Sequence, residues 1–154
     1  MVDILTPGGV DNPRAIAVFP PSGLVFWSDL GDLARIERAD LDGENRLAIV
    51  TSHLLWPAAL SIDTVRSRIY WLDVRLSSLS SSNFDGSSQR VVLSQLPSLS
   101  HPASLDTLED WLYWTNWGLS STNITRYNKR TGGQPQVLNT ISMVRILLLM
   151  YKVL

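Results

Sequence analysis

The residues of this 154-residue chain that could carry chemistry are few, and their types favour recognition over catalysis. The chain has no cysteine, which excludes disulfides, thiolate zinc sites and thiol nucleophiles together. The two histidines, His53 and His101, have no third ligand at a recognisable spacing, so we expect no metal and no cofactor. No Gly-rich phosphate loop and no Gly-x-Ser-x-Gly motif is present, so no catalytic residue is predicted. Six Trp, and the dominance of Arg among the 13 basic residues, supply the planar groups that recognition surfaces use.

Composition narrows the class of protein further. A net charge of -1 gives no basic excess, so nucleic acid is not an expected partner. With 45% hydrophobic and 18% charged residues the chain is globular rather than disordered. The first residues lack the basic and apolar regions of a signal peptide. The apolar run 146–150 is much shorter than the roughly 20 residues of a membrane span.

A unit of about 44 residues occurs three times, which is the period of a repeat architecture. One proline and one tryptophan mark the same two positions of every unit. The prolines are Pro13, Pro57 and Pro102, and the tryptophans are Trp27, Trp71 and Trp114. Two independent landmarks in register predict three copies of one structural element.

Each unit has the signals of four short strands. Alternate apolar residues follow the proline, as in Leu60 and Ile62, and the third strand ends at an Asp-Gly such as Asp85-Gly86, a strong hairpin signal. Four strands per unit are one blade of a β-propeller, so the fold class is all-β. We predict a lead-in segment 1–11, blades at 12–55, 56–100 and 101–141, and the first strand of another blade in 142–154.

The second strand of each unit carries a related four-residue motif. The three copies are Phe26-Trp27-Ser28-Asp29, Tyr70-Trp71-Leu72-Asp73 and Tyr113-Trp114-Thr115-Asn116. They resemble the Tyr-Trp-Thr-Asp (YWTD) signature of the class B repeats in the low-density-lipoprotein receptor family. The resemblance runs from about Asn12 to Leu138 and implies about half of a six-bladed YWTD-type propeller in a receptor-related protein.

This resemblance implies a binding module rather than an enzyme. Propellers of the family lie on the extracellular side of the plasma membrane in single-pass receptors, beside EGF-like modules and the remaining blades. Their partners are secreted protein or lipoprotein ligands, which endocytic members take up. The parent is therefore expected to be a receptor and a glycoprotein, with no membrane span in this segment.

The motif residues are expected to build the core, because paired aromatics in repeated strands usually pack between layers. Asp29 and Asp73 should accept hydrogen bonds from backbone or from an Arg of the next strand, since an unpaired buried carboxylate is costly. Asn116 keeps an acceptor without the charge. The structural signature comprises Phe26, Trp27, Asp29, Tyr70, Trp71, Asp73, Tyr113, Trp114 and Asn116.

Ligand contacts are expected on the loops of one face. The resemblance points to Trp56, Trp117 and His101 as candidates, while Leu30 takes the position of Trp117 in the first unit. Asn123-Ile124-Thr125 is a glycosylation sequon. We expect Ile124 to be a core residue with outward-facing neighbours, a placement that argues against use of Asn123.

Three alternatives remain open. A Wnt co-receptor propeller has Trp-Pro-Asn-Gly where this chain has Trp56-Pro57-Ala58-Ala59, which disfavours recognition of an Asn-x-Ile peptide. A six-bladed calcium-dependent lactonase shares the architecture. A truncated product without independent function is the third.

Because propellers typically have four to eight blades, three would leave apolar blade faces uncovered and prone to self-association. The opening at a repeat boundary favours a fragment of a longer receptor.

Overall fold

The computed structural model describes residues 10–96, 99, 102–117 and 122–141. They form three four-stranded antiparallel sheets, which confirms the expected all-β propeller fold. The first sheet contains β1 (Pro13–Phe19), β2 (Leu24–Asp29), β3 (Arg35–Asp40) and β4 (Leu47–Val50). The second contains β5 (Pro57–Asp63), β6 (Arg68–Asp73), β7 (Ser78–Asn83) and β8 (Arg90–Leu93). The third contains β9 (Pro102–Leu108), β10 (Trp111–Trp117), β11 (Thr122–Asn128) and β12 (Gln136–Ile141). The expected further strand in 142–154, and most of the lead-in segment, lie outside the described residues.

Each sheet is a meander in which every strand pairs with its neighbour in the chain. A short 3-10 turn, Pro20–Ser22, joins β1 to β2. The repeated proline starts the first strand of each sheet, where its missing N–H removes no ladder hydrogen bond from the strand interior. A bulge follows it in all three sheets, between Pro13 and Ala15, between Pro57 and Ala59, and between Pro102 and Ser104.

The core lies between neighbouring sheets. Phe26 and Ile36 of the first sheet pack against Leu60 and Trp71 of the second in one cluster. Tyr70 of the second sheet shares another cluster with residues of the third sheet, including Leu105 and Trp114. Successive residues of the motif therefore face opposite sides, and the middle sheet is covered on both. This arrangement is why β6 has an almost continuous apolar sequence.

No described residue of another sheet covers the second face of the first sheet. Ile16 on β1 is 69% exposed, whereas its counterparts Leu60 and Leu105 are each 6% exposed. Val18, two residues further, is exposed as well. Ile16, Leu60 and Leu105 are equivalent apolar positions, so the difference in their exposure comes from the preceding sheet, which covers Leu60 and Leu105.

A buried ion pair joins the second sheet to the third. Lys129 Nζ lies 2.7 Å from Asp63 Oδ2, and both side chains are only 2% exposed. Asp63 also accepts hydrogen bonds from the backbone N–H groups of Val65 and Arg66 and from the Arg66 guanidinium. Burial alone would raise the pKa of Asp63, but the hydrogen bonds from Lys129 and Arg66 outweigh it and the pKa is lowered. Arg66 extends the contact by an ion pair with Asp110.

Candidate functional site

The carboxylate that ends β2 anchors the loops at one end of the first sheet. Asp29 is fully buried and accepts hydrogen bonds from the backbone N–H groups of Asp11, Asn12 and Gly31. The Arg35 guanidinium completes its shell at 2.8 Å. Burial favours the neutral acid, but the backbone donors and Arg35 prevail, so the pKa of Asp29 is lowered. The expected backbone and Arg partners are therefore present.

Asp73 anchors the loops of the second sheet in the same way, and among the described residues no arginine pairs with it. Its carboxylate accepts from the backbone N–H groups of Leu55, Trp56 and Leu76. Ser78 on β7 stands where β3 has Arg35. In both sheets the acid ties the loop before the first strand to the loop after the second. We call this loop end of the three sheets the loop face.

The third sheet differs at the corresponding position. Asn116 pairs with Pro102 in the β9–β10 register and is buried. Asn123 of β11 lies opposite Asn116, where Asp29 faces Arg35 in the first sheet. Two asparagines thus occupy the positions that an aspartate and an arginine occupy in the first sheet.

Trp56 and Trp117 both lie on the loop face. Trp56 is half-buried. Its backbone N–H donates a hydrogen bond to the Asp73 carboxylate, and its backbone carbonyl accepts one from the N–H of Val74. The Arg75 guanidinium lies 5.7 Å from its ring centroid. Trp117 is the last residue of β10 and is 44% exposed. The third candidate, His101, lies outside the described residues.

The aromatic motif residues lie between or against the sheets rather than on the loop face. Phe26, Trp27, Tyr70, Trp71 and Trp114 are buried, and Tyr113 is half-buried. No group of three or more His, Asp or Glu side chains that could hold a metal ion occurs within the described ranges.

The sequon asparagine is not on an open surface. Asn123 is half-buried, lines a cavity of about 290 Å³ between the second and third sheets, and accepts a hydrogen bond from Thr125. The expected orientation of the sequon is wrong, because Thr125 is buried and Ile124 is only half-buried. Ile124 occupies the position that Leu79 has in the second sheet. The third sheet covers Leu79, whereas no described residue of a further sheet covers Ile124.

A larger cleft of about 720 Å³ opens on the loop face between the first two sheets. Arg14 and Arg75 line it together with Leu30 and Trp56, and Trp117 does not. Sequence reasoning missed both arginines. The available signal was a departure from the repeat, since the residue after the proline is Arg14 in the first unit but alanine in the other two.

The low-density lipoprotein receptor repeat class B family matches residues 23–64 and 67–105 of this chain. The vitellogenin receptor Yl of Drosophila melanogaster is 40% identical over 93 residues, which are 60% of this chain and 5% of that receptor. The human low-density lipoprotein receptor-related protein 5-like protein is 33% identical over 58% of this chain and 36% of its own length. The chain thus spans a small part of the first relative and about a third of the second.

Solved structures agree on the fold. A chain of the nidogen/laminin complex superposes with a TM-score of 0.76 at 24% identity, over 85% of this chain and 49% of that one. A gluconolactonase from Xanthomonas campestris superposes with a TM-score of 0.65 at 16% identity, over 84% of this chain and 47% of that one. Within the described residues no helix has the length and apolar character that crossing a bilayer requires.

Proposed function

This chain belongs to the low-density lipoprotein receptor class B repeat family, and we propose that it forms part of a non-enzymatic, ligand-binding propeller in an endocytic receptor-related protein. The ligands would be secreted proteins or lipoproteins. The observation that carries the proposal is the family match over residues 23–64 and 67–105, together with 40% identity to a protein named as a vitellogenin receptor. That match spans 5% of the receptor, so the activity of the whole receptor is part of the proposal.

In this proposal the loop face takes the ligand. Trp56 and Trp117 offer large, partly exposed aromatic surfaces, the residue type that most often dominates binding energy. The loop of Trp56 is held by the buried carboxylate of Asp73, so little conformational entropy would be lost when it binds. His101, which precedes β9 in the chain, completes the proposed contacts.

The proposed location is the extracellular side of the plasma membrane, within a longer chain. EGF-like modules and further blades would flank the three sheets, which correspond to 49% of a solved propeller chain. An immunoblot of the native protein tests this. A band far above 17.2 kDa that shrinks with glycosidase supports a large receptor, and a single band near 17.2 kDa contradicts it.

Binding to immobilised chain tests the ligand face. Vitellogenin and low-density lipoprotein are the two analytes, and the variants are Trp56→Ala, Trp117→Ala and the matched control Trp111→Ala. Trp111 begins β10 and Trp117 ends it, so the control removes an indole from the opposite end of the same strand. We expect each loop-face variant to weaken capture by about tenfold or more, with little effect of the control. Equal binding by the native chain and all three variants would refute the assignment of the ligand site to the loop face.

The alternatives have separate tests. The 33% identity to a human receptor-related protein supports the co-receptor as second candidate, and binding of an Asn-x-Ile peptide despite Ala58 and Ala59 would favour it. Lactone turnover in the presence of calcium would overturn the non-enzymatic proposal in favour of a lactonase. A thermal melt without a cooperative transition would favour a truncated product with no function of its own.

A further inference from the structure

The cleft between the first two sheets combines an apolar wall with cationic groups. Leu30, Leu33 and Leu55 line it beside the indole of Trp56. At about 720 Å³ it has the volume of an ordinary ligand site. A side chain that entered it would meet leucine and tryptophan first, so the cleft suits an apolar residue of a partner.

Two arginines of this cleft have no carboxylate partner among the residues that the structure describes. Arg14 is exposed at the bulge of β1, and Arg75 is exposed beyond the end of β6. Arg35, which also lines the cleft, differs because Asp29 engages it at 2.8 Å. The positive charge that a ligand could bind therefore lies on Arg14 and Arg75.

The guanidinium of Arg75 lies within cation–π distance of an aromatic ring. It lies over the indole of Trp56 at 5.7 Å from the ring centroid. A cation–π contact uses none of the N–H donors of the guanidinium, so these donors can bind a carboxylate in two parallel hydrogen bonds. Because the backbone N–H of Trp56 donates a hydrogen bond to the buried Asp73, the backbone that carries the indole is anchored.

The fold does not require arginine at position 14. The bulge after the repeated proline carries Ala58 in the second sheet, and the third unit has Ala103 at the same position. A small residue thus suffices for the backbone geometry. The packing of the sheets therefore does not explain the positive charge of Arg14.

We propose that this cleft binds an acidic segment of a protein partner, whose carboxylate is held by Arg14 and Arg75 and whose neighbouring apolar side chain packs on Trp56 and Leu55. Asp32 also lines the cleft and limits the excess positive charge, so one or two carboxylates fit better than a long acidic tract. The inference rests on the proposed ligand-binding function and adds the chemical class of the bound segment.

The test uses the full chain and two synthetic peptides, acetyl-Glu-Leu-Glu-amide and its neutral counterpart acetyl-Gln-Leu-Gln-amide. Binding is followed by the NMR shift of the Trp56 indole N–H, assigned with a Trp56→Phe variant. We expect the acidic peptide to bind about tenfold more tightly, with the difference shrinking in high salt. Arg14→Gln and Arg75→Gln should each abolish most of that preference. Arg90→Gln on β8, whose side chain does not line the cleft, is the matched control and should preserve it.

Equal binding of the two peptides, or an equal loss in the Arg90 control, would overturn the inference. The protein-ligand assay separates the two proposals. If Arg14→Gln and Arg75→Gln capture vitellogenin and low-density lipoprotein as well as the native chain does, acidic recognition fails while the ligand-binding function stands. If the acidic peptide binds as expected but neither protein is captured, the receptor function fails and the cleft remains.

Discussion

Replacing Lys129 by methionine tests the buried ion pair between the second and third sheets. The variant keeps the length of the side chain and removes its charge. Asp63 would then stay buried without the cation that lies 2.7 Å away. Removing one partner of a buried pair typically costs about 3–5 kcal/mol. Because Asp63 retains donors from Val65 and Arg66, we expect the low end, about 3 kcal/mol.

The assay is urea unfolding followed by tryptophan fluorescence, supported by thermal melting. For a domain of this size about 3 kcal/mol corresponds to a fall of about 6–12 °C in Tm. The double variant Asp63→Asn/Lys129→Met should lose less than the sum of the single losses, since the two side chains interact directly. Arg130→Met is the control, because Arg130 is largely exposed and its contact with Asp110 is long, at 3.5 Å. It should leave the midpoint unchanged.

The pH dependence follows from the lowered pKa of Asp63. A carboxylate with a lowered pKa in the folded state stabilises the protein above its unfolded pKa, about 3.9, and loses that contribution as pH falls through the folded value. The stability difference between native chain and Lys129→Met should thus be full at pH 7 and shrink in acid. A loss below about 0.5 kcal/mol at pH 7 would refute the reasoning, because that is the range of exposed pairs.

Three further outcomes are expected. Gly86→Ala should destabilise the protein much more than Gly23→Ala, because both have positive φ but only at Gly86 would a Cβ collide with the backbone carbonyl of Ile49; urea midpoints of the two variants check this. Ile16→Asp should reduce concentration-dependent association in light scattering, since Ile16 lies on the uncovered face of the first sheet, and unchanged association would exclude that face. Asn123 should carry no glycan when the protein is secreted, because it is half-buried against a cavity, and mass spectrometry that finds a glycan there would contradict its placement.

The strands and their order could be predicted because their causes are local. Alternating apolar residues, the proline at the start of β1, β5 and β9, and turns such as Asp85-Gly86 each act within a few residues. Because the unit occurs three times, each of these weak signals is seen three times at the same position. The Tyr-Trp motif further indicated a family, and the family match confirms it.

The candidate site could be predicted only in part. The hydrogen-bonded role of Asp29 follows from the cost of burying an unpaired carboxylate, which holds in any fold. The placement of Arg14, Arg75 and Trp56 around one cleft does not follow, because these residues come from two sheets whose loops converge only when the sheets pack together. The ion pair of Asp63 with Lys129 was missed for the same reason.

By itself, the sequence determined three copies of a four-stranded unit and which residues alternate along each strand, since both depend on short-range backbone and side-chain preferences. Tertiary structure alone decided what each face meets. Ile16 and Leu60 occupy the same position of the same pattern, yet one is exposed and the other is buried. Burial is a property of the neighbouring sheet, and a residue's own sequence context contains no information about a neighbour that packs from elsewhere.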